Sequence, residues 1–167
     1  TVKSKSGTES QMLQKKHGYA AGYTIMKQLK DDEIEKWREV ELRDRIPDPE
    51  DEDGDIRIGG IAKLRLSGMV VEYDKEYISS STPCVGIFQA HEDIDQFLRI
   101  SEPQTHDNWD EHSKRLTEPE HFEAGFNISH AKEIVKYVNN QIKTRVKSFQ
   151  RNIGDPPPPA DYKLKAL

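Results

Sequence analysis

Residues 129–153 constrain this chain more than any other stretch, because they carry an apolar stripe and a basic stripe side by side at helical spacing. At 100° per residue, Ala131, Ile134, Val135, Val138, Ile142, Val146, Phe149 and Ile153 fall on one face, and Lys132, Lys136, Lys143 and Lys147 fall on the next. The spacing predicts one long helix that docks on a core and turns cations outward. Asn127 or Ser129 can cap its start, Gly154 can supply the left-handed residue beyond its end, and the four prolines at 156–159 cannot extend it.

The rest of the chain must supply the surface on which that helix docks. Ile56, Ile58, Leu64 and Leu66 alternate with Arg57, Lys63 and Arg65, which is the period of a strand. Strands are expected over Ile61–Leu66, Met69–Tyr73 and Cys84–Phe88, the first two joined at Ser67-Gly68. Residues 9–30 show a looser, helix-like spacing of Met12, Leu13, Tyr19, Tyr23, Met26 and Leu29, interrupted by Gly18 and Gly22, which suggest either close packing against another element or a break near residue 17. A second helix should start at Asp31 or Asp32 and stop before Pro47, and a short one should span residues 91–100 with Ile94, Phe97 and Leu98 inward. Residues 101–120 are polar and read as irregular structure pinned by Trp109. The expected architecture is therefore α+β, with a small antiparallel sheet of about three strands flanked by N-terminal helices and the long C-terminal helix. In domain terms, residues 1–8 form a flexible arm, 9–154 one domain with a mobile acidic loop at 47–55, and 155–167 a Pro-rich linker or tail.

Composition narrows the function classes. With 34% apolar and 33% charged residues and a mean hydropathy of −0.88, the core must be small for 167 residues. No apolar run is long enough for a membrane helix, so no membrane partner is expected. The polar start and the single cysteine, Cys84, fit a reducing, cytoplasmic setting. The missing initiator methionine and the Pro-rich tail read as a piece of a longer protein. Charge is unevenly spread: residues 31–55 hold thirteen acids against four bases, a balance of −9, whereas 129–153 hold six bases against one acid, a balance of +5. One stretch could hold the other, or each could face its own partner.

Three constellations could carry chemistry. Five of the six histidines lie within residues 91–130 among many carboxylates, the ligand types a divalent metal takes. No HExxH or related spacing singles out a site, so His91, His106 and His112 stand only as candidate ligands. His106, with Asp107 as orienter and Trp109 as wall, is the candidate catalytic group of a metal-dependent hydrolase or nuclease. Glu72-Tyr73-Asp74-Lys75 misses the acid-x-Lys spacing of a restriction-type nuclease by one residue, and Cys84 reads as a buried small hydrophobe rather than a nucleophile. Lys132, Lys136, Lys143 and Lys147, with Asn139, could follow a nucleic-acid backbone or meet a protein partner, although a pI near 5.7 is low for a dedicated nucleic-acid module. No cofactor is expected beyond a divalent metal. The reading these observations favour is a non-catalytic interaction or accessory domain of a larger intracellular protein. It would present the basic helix face and the acidic loop to a protein partner or to the rest of its own chain.

Overall fold

One mixed sheet organises the molecule in the computed structural model, which describes residues 2–3, 7–44, 58–79 and 81–154. In chain order the elements are β1 (Val2–Lys3), β2 (Thr8–Met12), β3 (Gly22–Gln28), α1 (Asp31–Asp44), β4 (Gly59–Leu64), β5 (Val70–Asp74), β6 (Cys84–Ala90), α2 (Glu92–Ser101) and α3 (Ala131–Gly154). Short 3-10 turns at Lys114–Thr117 and Pro119–His121 precede α3. The strand order is β1-β2-β3-β6-β4-β5, five main strands and a two-residue edge strand. All neighbours are antiparallel except β4 and β6, which run parallel in the register Gly59↔Cys84 to Leu64↔Gln89. The fold is thus α+β, but the sheet is larger than three strands and is mixed.

The added strands come from residues 9–30, where a helix-like spacing had suggested a helix. β3 buries Gly22, Thr24 and Met26 against the core, while Tyr23 and Ile25 on its other face are half-covered. A strand that is apolar on both faces loses its clean alternation, so its spacing imitates a helix. The break expected near residue 17 is a two-residue hairpin turn. Lys16 and Tyr19 exchange both backbone hydrogen bonds, at 3.0 and 2.9 Å, around His17 and Gly18, whose φ angles of 52° and 82° are both left-handed. Gly22 is required for a different reason: a Cβ there would lie 2.2 Å from the Gln89 carbonyl oxygen, so the strand could not approach β6. The β4–β5 hairpin closes through the Gly68 N–H donating to Arg65 O at 2.9 Å, with Gly68 at φ 83°.

α3 lies on one face of this sheet. Ala131, Ile134, Val135, Val138, Ile142, Val146 and Phe149 are all buried, as the stripe requires. Each of the larger ones contributes about 1.5–3 kcal/mol on burial. α2 adds Ile94, Phe97, Leu98 and Ile100, and Phe97 meets Tyr19 and Phe126 edge-on, with ring centroids 5.4 and 5.1 Å away. Trp109 anchors the irregular segment as expected, 4% exposed and edge-on to Phe88 at 5.7 Å. The acidic loop at 47–55 and the tail at 155–167 lie outside the described residues. Val2 and Lys3, expected in an arm, pair with Ser10 and Glu9.

One buried ion pair fastens the two ends of the chain. Arg145, on α3, donates from Nη2 to Glu9 Oε1 at 2.6 Å and from Nε to Thr24 Oγ1 at 3.3 Å, with Glu9 and Arg145 both buried. Removing the cation strands a buried carboxylate. Arg145→Ala should therefore cost about 3–5 kcal/mol in urea unfolding, and the paired change Arg145→Met with Glu9→Leu should recover most of it. A loss under about 1 kcal/mol would mean that water screens the pair.

Candidate functional site

The histidine-rich segment does not converge on one centre. His106 sits in a tight turn, its N–H donating to Pro103 O at 3.0 Å and its φ at 52°. Its Nδ1 lies 2.9 Å from Glu102 Oε2, and Glu102, rather than Asp107, is the carboxylate that orients it. Asp107 instead accepts from the Thr105 hydroxyl at 2.8 Å. Glu102 is fully buried at the end of α2. It accepts from Trp109 Nε1 at 3.4 Å and has Arg65 Nε 3.6 Å away, while Arg65 also donates to Asp95 at 2.9 Å. This is a carboxylate–histidine dyad with an exposed imidazole. Among the described residues no hydroxyl or thiol is hydrogen-bonded to that ring.

His91 caps α2, its Nδ1 accepting from Asp93 N at 3.1 Å, and His112 is exposed beside Glu111. His91, His106 and His112 do not share a site. Three other groups among the described residues do bring metal-ligating atoms within 4.8 Å of one another: His91, Glu92 and Asp93; Glu118, Glu120 and His121; and His17, His130 and Glu133. The last was missed in the sequence because His17 stands 116 positions from Glu133.

The lysine stripe is only partly free. Lys132 and Lys136 are exposed, but Lys143 and Lys147 hold their ammonium groups over the Tyr77 ring, 4.9 and 5.5 Å from its centroid. Each such contact is worth about 0.5–1 kcal/mol at an exposed site. Asn139 donates to Trp109 O at 3.0 Å, which ties α3 to the irregular segment. The acid and lysine residues of the β4–β5 hairpin also meet, as a closed triad: Lys63 Nζ is 2.9 Å from Glu72 and 3.1 Å from Asp74. Burial pulls the Lys63 pKa down, but the two carboxylates together hold it above the usual lysine range. Lys63 already neutralises the acids a metal would need.

One open feature is apolar and lies on the other face of the sheet. Along β4 and β6 the residues that alternate with the buried Ile61, Cys84 and Phe88 are Ala62, Val85 and Ile87, and α3 cannot reach them. With Leu64, Tyr73 and, from α1, Trp37, they line an open groove of about 620 Å³. Trp37 is 36% and Tyr73 71% exposed. α1 stands at the rim, tethered by Lys27 Nζ to Glu33 at 2.6 Å and by Lys30 N donating to Glu33 at 2.8 Å. The Lys27 hydrogen bond, with that from Lys30, holds the Glu33 carboxyl below the usual range. Among the described residues, no helix is long and apolar enough to cross a membrane.

The chain matches no family model, no curated protein and no solved structure. A sequence signal for the groove does exist: Val70-Val71, Ile25-Met26 and the Cys84–Phe88 run are apolar on both strand faces, and the chain has one long apolar helix with which to cover them.

Cys84 is buried, and desolvation pushes its thiol up to about 11, against a smaller opposing pull from a hydrogen bond to Gln150. A thiol held there is unreactive at pH 8. Ellman's reagent should label it only after unfolding, and rapid labelling of the native protein would contradict its burial.

Proposed function

We propose that the chain is a non-catalytic interaction domain whose working surface is the apolar groove on the helix-free face of the sheet. The observation that carries the reading is the lining of that groove by Trp37, Leu64, Tyr73, Val85 and Ile87, with no side chain of the described residues filling it. An apolar concavity of this size with an aromatic wall is the ordinary form of a recognition site. The occupant is a protein segment that is apolar on one side and basic on its flank. The apolar side answers the groove. The basic flank answers α1, whose exposed face carries Asp31, Asp32, Glu35 and Glu39 against Lys36 and Arg38. The mode is that of an amphipathic segment laid in a groove, with Trp37 as the anchor.

The lysine face of α3 takes a secondary place in this reading. Lys143 and Lys147 are engaged with Tyr77, which leaves Lys132 and Lys136 to meet a second partner. Two cations make few phosphate contacts, so nucleic-acid binding along α3 would be weak and salt-sensitive.

Trp37 supplies the test, because it lines the groove while Trp109 is buried in the core. A designed leucine/lysine amphipathic peptide should shift Trp37 emission to the blue and saturate. Its leucine/glutamate counterpart should bind at least about tenfold more weakly, a difference of about 1.4 kcal/mol. Ile87→Lys should abolish the shift while leaving the melting curve in place. The absence of a saturable change, or equal binding of the two peptides, would refute the proposed surface.

A further inference from the structure

We infer that His17, His130 and Glu133 form a surface site for a divalent transition metal, joining the tip of the β2–β3 hairpin to the start of α3. His17 Nε2 lies 2.6 Å and His130 Nδ1 3.8 Å from the same Glu133 oxygen, Oε2. The two imidazole rings stack with centroids 3.8 Å apart and planes 6° from parallel. A simple ion pair accounts for His17 and Glu133 alone. It leaves His130 Nδ1 enclosed, directed at the carboxylate and without a hydrogen-bond partner. An enclosed imidazole nitrogen without a partner is costly, and a metal shared with Glu133 and His17 would satisfy it.

In the other two groups the ligating atoms already have partners. In one, His91 Nδ1 accepts from Asp93 N, and Asp93 Oδ2 accepts from Ala20 N at 2.8 Å. In the other, the single imidazole of His121 is bonded to Glu118 at 2.8 Å. Only the His17 group combines two imidazoles with one carboxylate. That donor set suits Zn²⁺, Co²⁺ or Ni²⁺ and does not suit Mg²⁺ or Ca²⁺, which take oxygen ligands. Ligand bonds of about 2.0–2.2 Å put two donors of a tetrahedral ion roughly 3.3 Å apart, so the site forms by side-chain shifts on the order of 1 Å together with a tilt of the two imidazoles out of their parallel stack, which aims both in-plane lone pairs at one ion.

The scaffold holds the donors in place. His17 is the first central residue of the hairpin turn, fixed by the paired Lys16 and Tyr19 backbone bonds. Tyr137, one turn beyond Glu133 on α3, donates to Gln14 O at 2.8 Å and ties the same hairpin to the helix. Two features oppose a cation here: Lys16, whose charge bears on Glu133, and the positive end of the α3 dipole. They place the affinity in a micromolar rather than a structural-zinc range. Three protein donors leave at least one position of a four-coordinate ion open to water or to a donor from elsewhere.

The test is titration of the purified, chelator-treated protein with ZnCl₂ and with MgCl₂, followed by isothermal calorimetry and by melting temperature. Zn²⁺ should bind one per chain and raise the melting temperature by a few degrees, EDTA should reverse the rise, and Mg²⁺ should do neither. His17→Ala and His130→Ala should each weaken Zn²⁺ binding at least about tenfold, which is about 1.4 kcal/mol. His91→Ala and His106→Ala should leave it unchanged. All four side chains are part-exposed, and circular dichroism of each variant confirms that it is folded. Saturable one-to-one binding that is lost with His17 and with His130 establishes the site. No such binding, or binding that survives both changes or depends on His91 or His106, overturns it.

Discussion

Everything in this fold follows from having one long apolar helix and a sheet wide enough to need two. α3 offers a stripe of seven buried side chains from Ala131 to Phe149, and α2 extends the cover with four more. Together they close one face of the sheet. Among the described residues the opposite face receives only α1, a helix rich in charge whose Trp37 stands at the rim of the groove. An amphipathic element can bury only the stripe it has. The groove beside Trp37 is therefore what remains when a charged chain has spent its apolar surface on one side.

The scarcity of apolar residues also explains why charges are fastened inside. Arg145 with Glu9 ties α3 to β2, Lys63 with Glu72 and Asp74 ties β4 to β5, and Arg65 faces Glu102 where the β4–β5 hairpin meets α2. Each lies at a junction between elements. Such groups contribute less net stability than apolar side chains of equal volume, but they are severe about register, since a slip of one residue leaves a buried charge alone. A chain that is one-third charged can hold a specific fold this way.

How much of this was legible in the sequence depends on whether an element shows water one face or two. α3 and α2 each have a solvated side, and their stripes named their buried residues, Ile134 to Phe149 and Ile94, Phe97 and Leu98. α1 began at Asp31 as its acids indicated. The Cys84–Phe88 strand and the two strands before it lay close to where alternation placed them. The β2–β3 hairpin was hidden because β3 packs on both sides, although its glycines pointed to a break or to close packing, and the fold uses Gly18 for the one and Gly22 for the other. The parallel pairing of β4 with β6 leaves no local mark at all. Among candidate site residues, His106 did acquire a carboxylate, but from Glu102, four positions back, not from adjacent Asp107. Pairings such as His17 with Glu133 are set by topology, and no spacing rule can find them.

The position of β6 has a consequence for how the molecule comes into being. It is the central strand, pairing with β3 on one side and β4 on the other, yet it follows both in the chain. Gly22 must wait for Ala90, and Glu9 for Arg145, before either finds its partner. The early strands are therefore made before the described elements that pair their edges and cover their apolar faces. The core is complete only once α3, the last of the described elements, has been made, so the order of the chain leaves the first half of this domain without its cover for most of its synthesis.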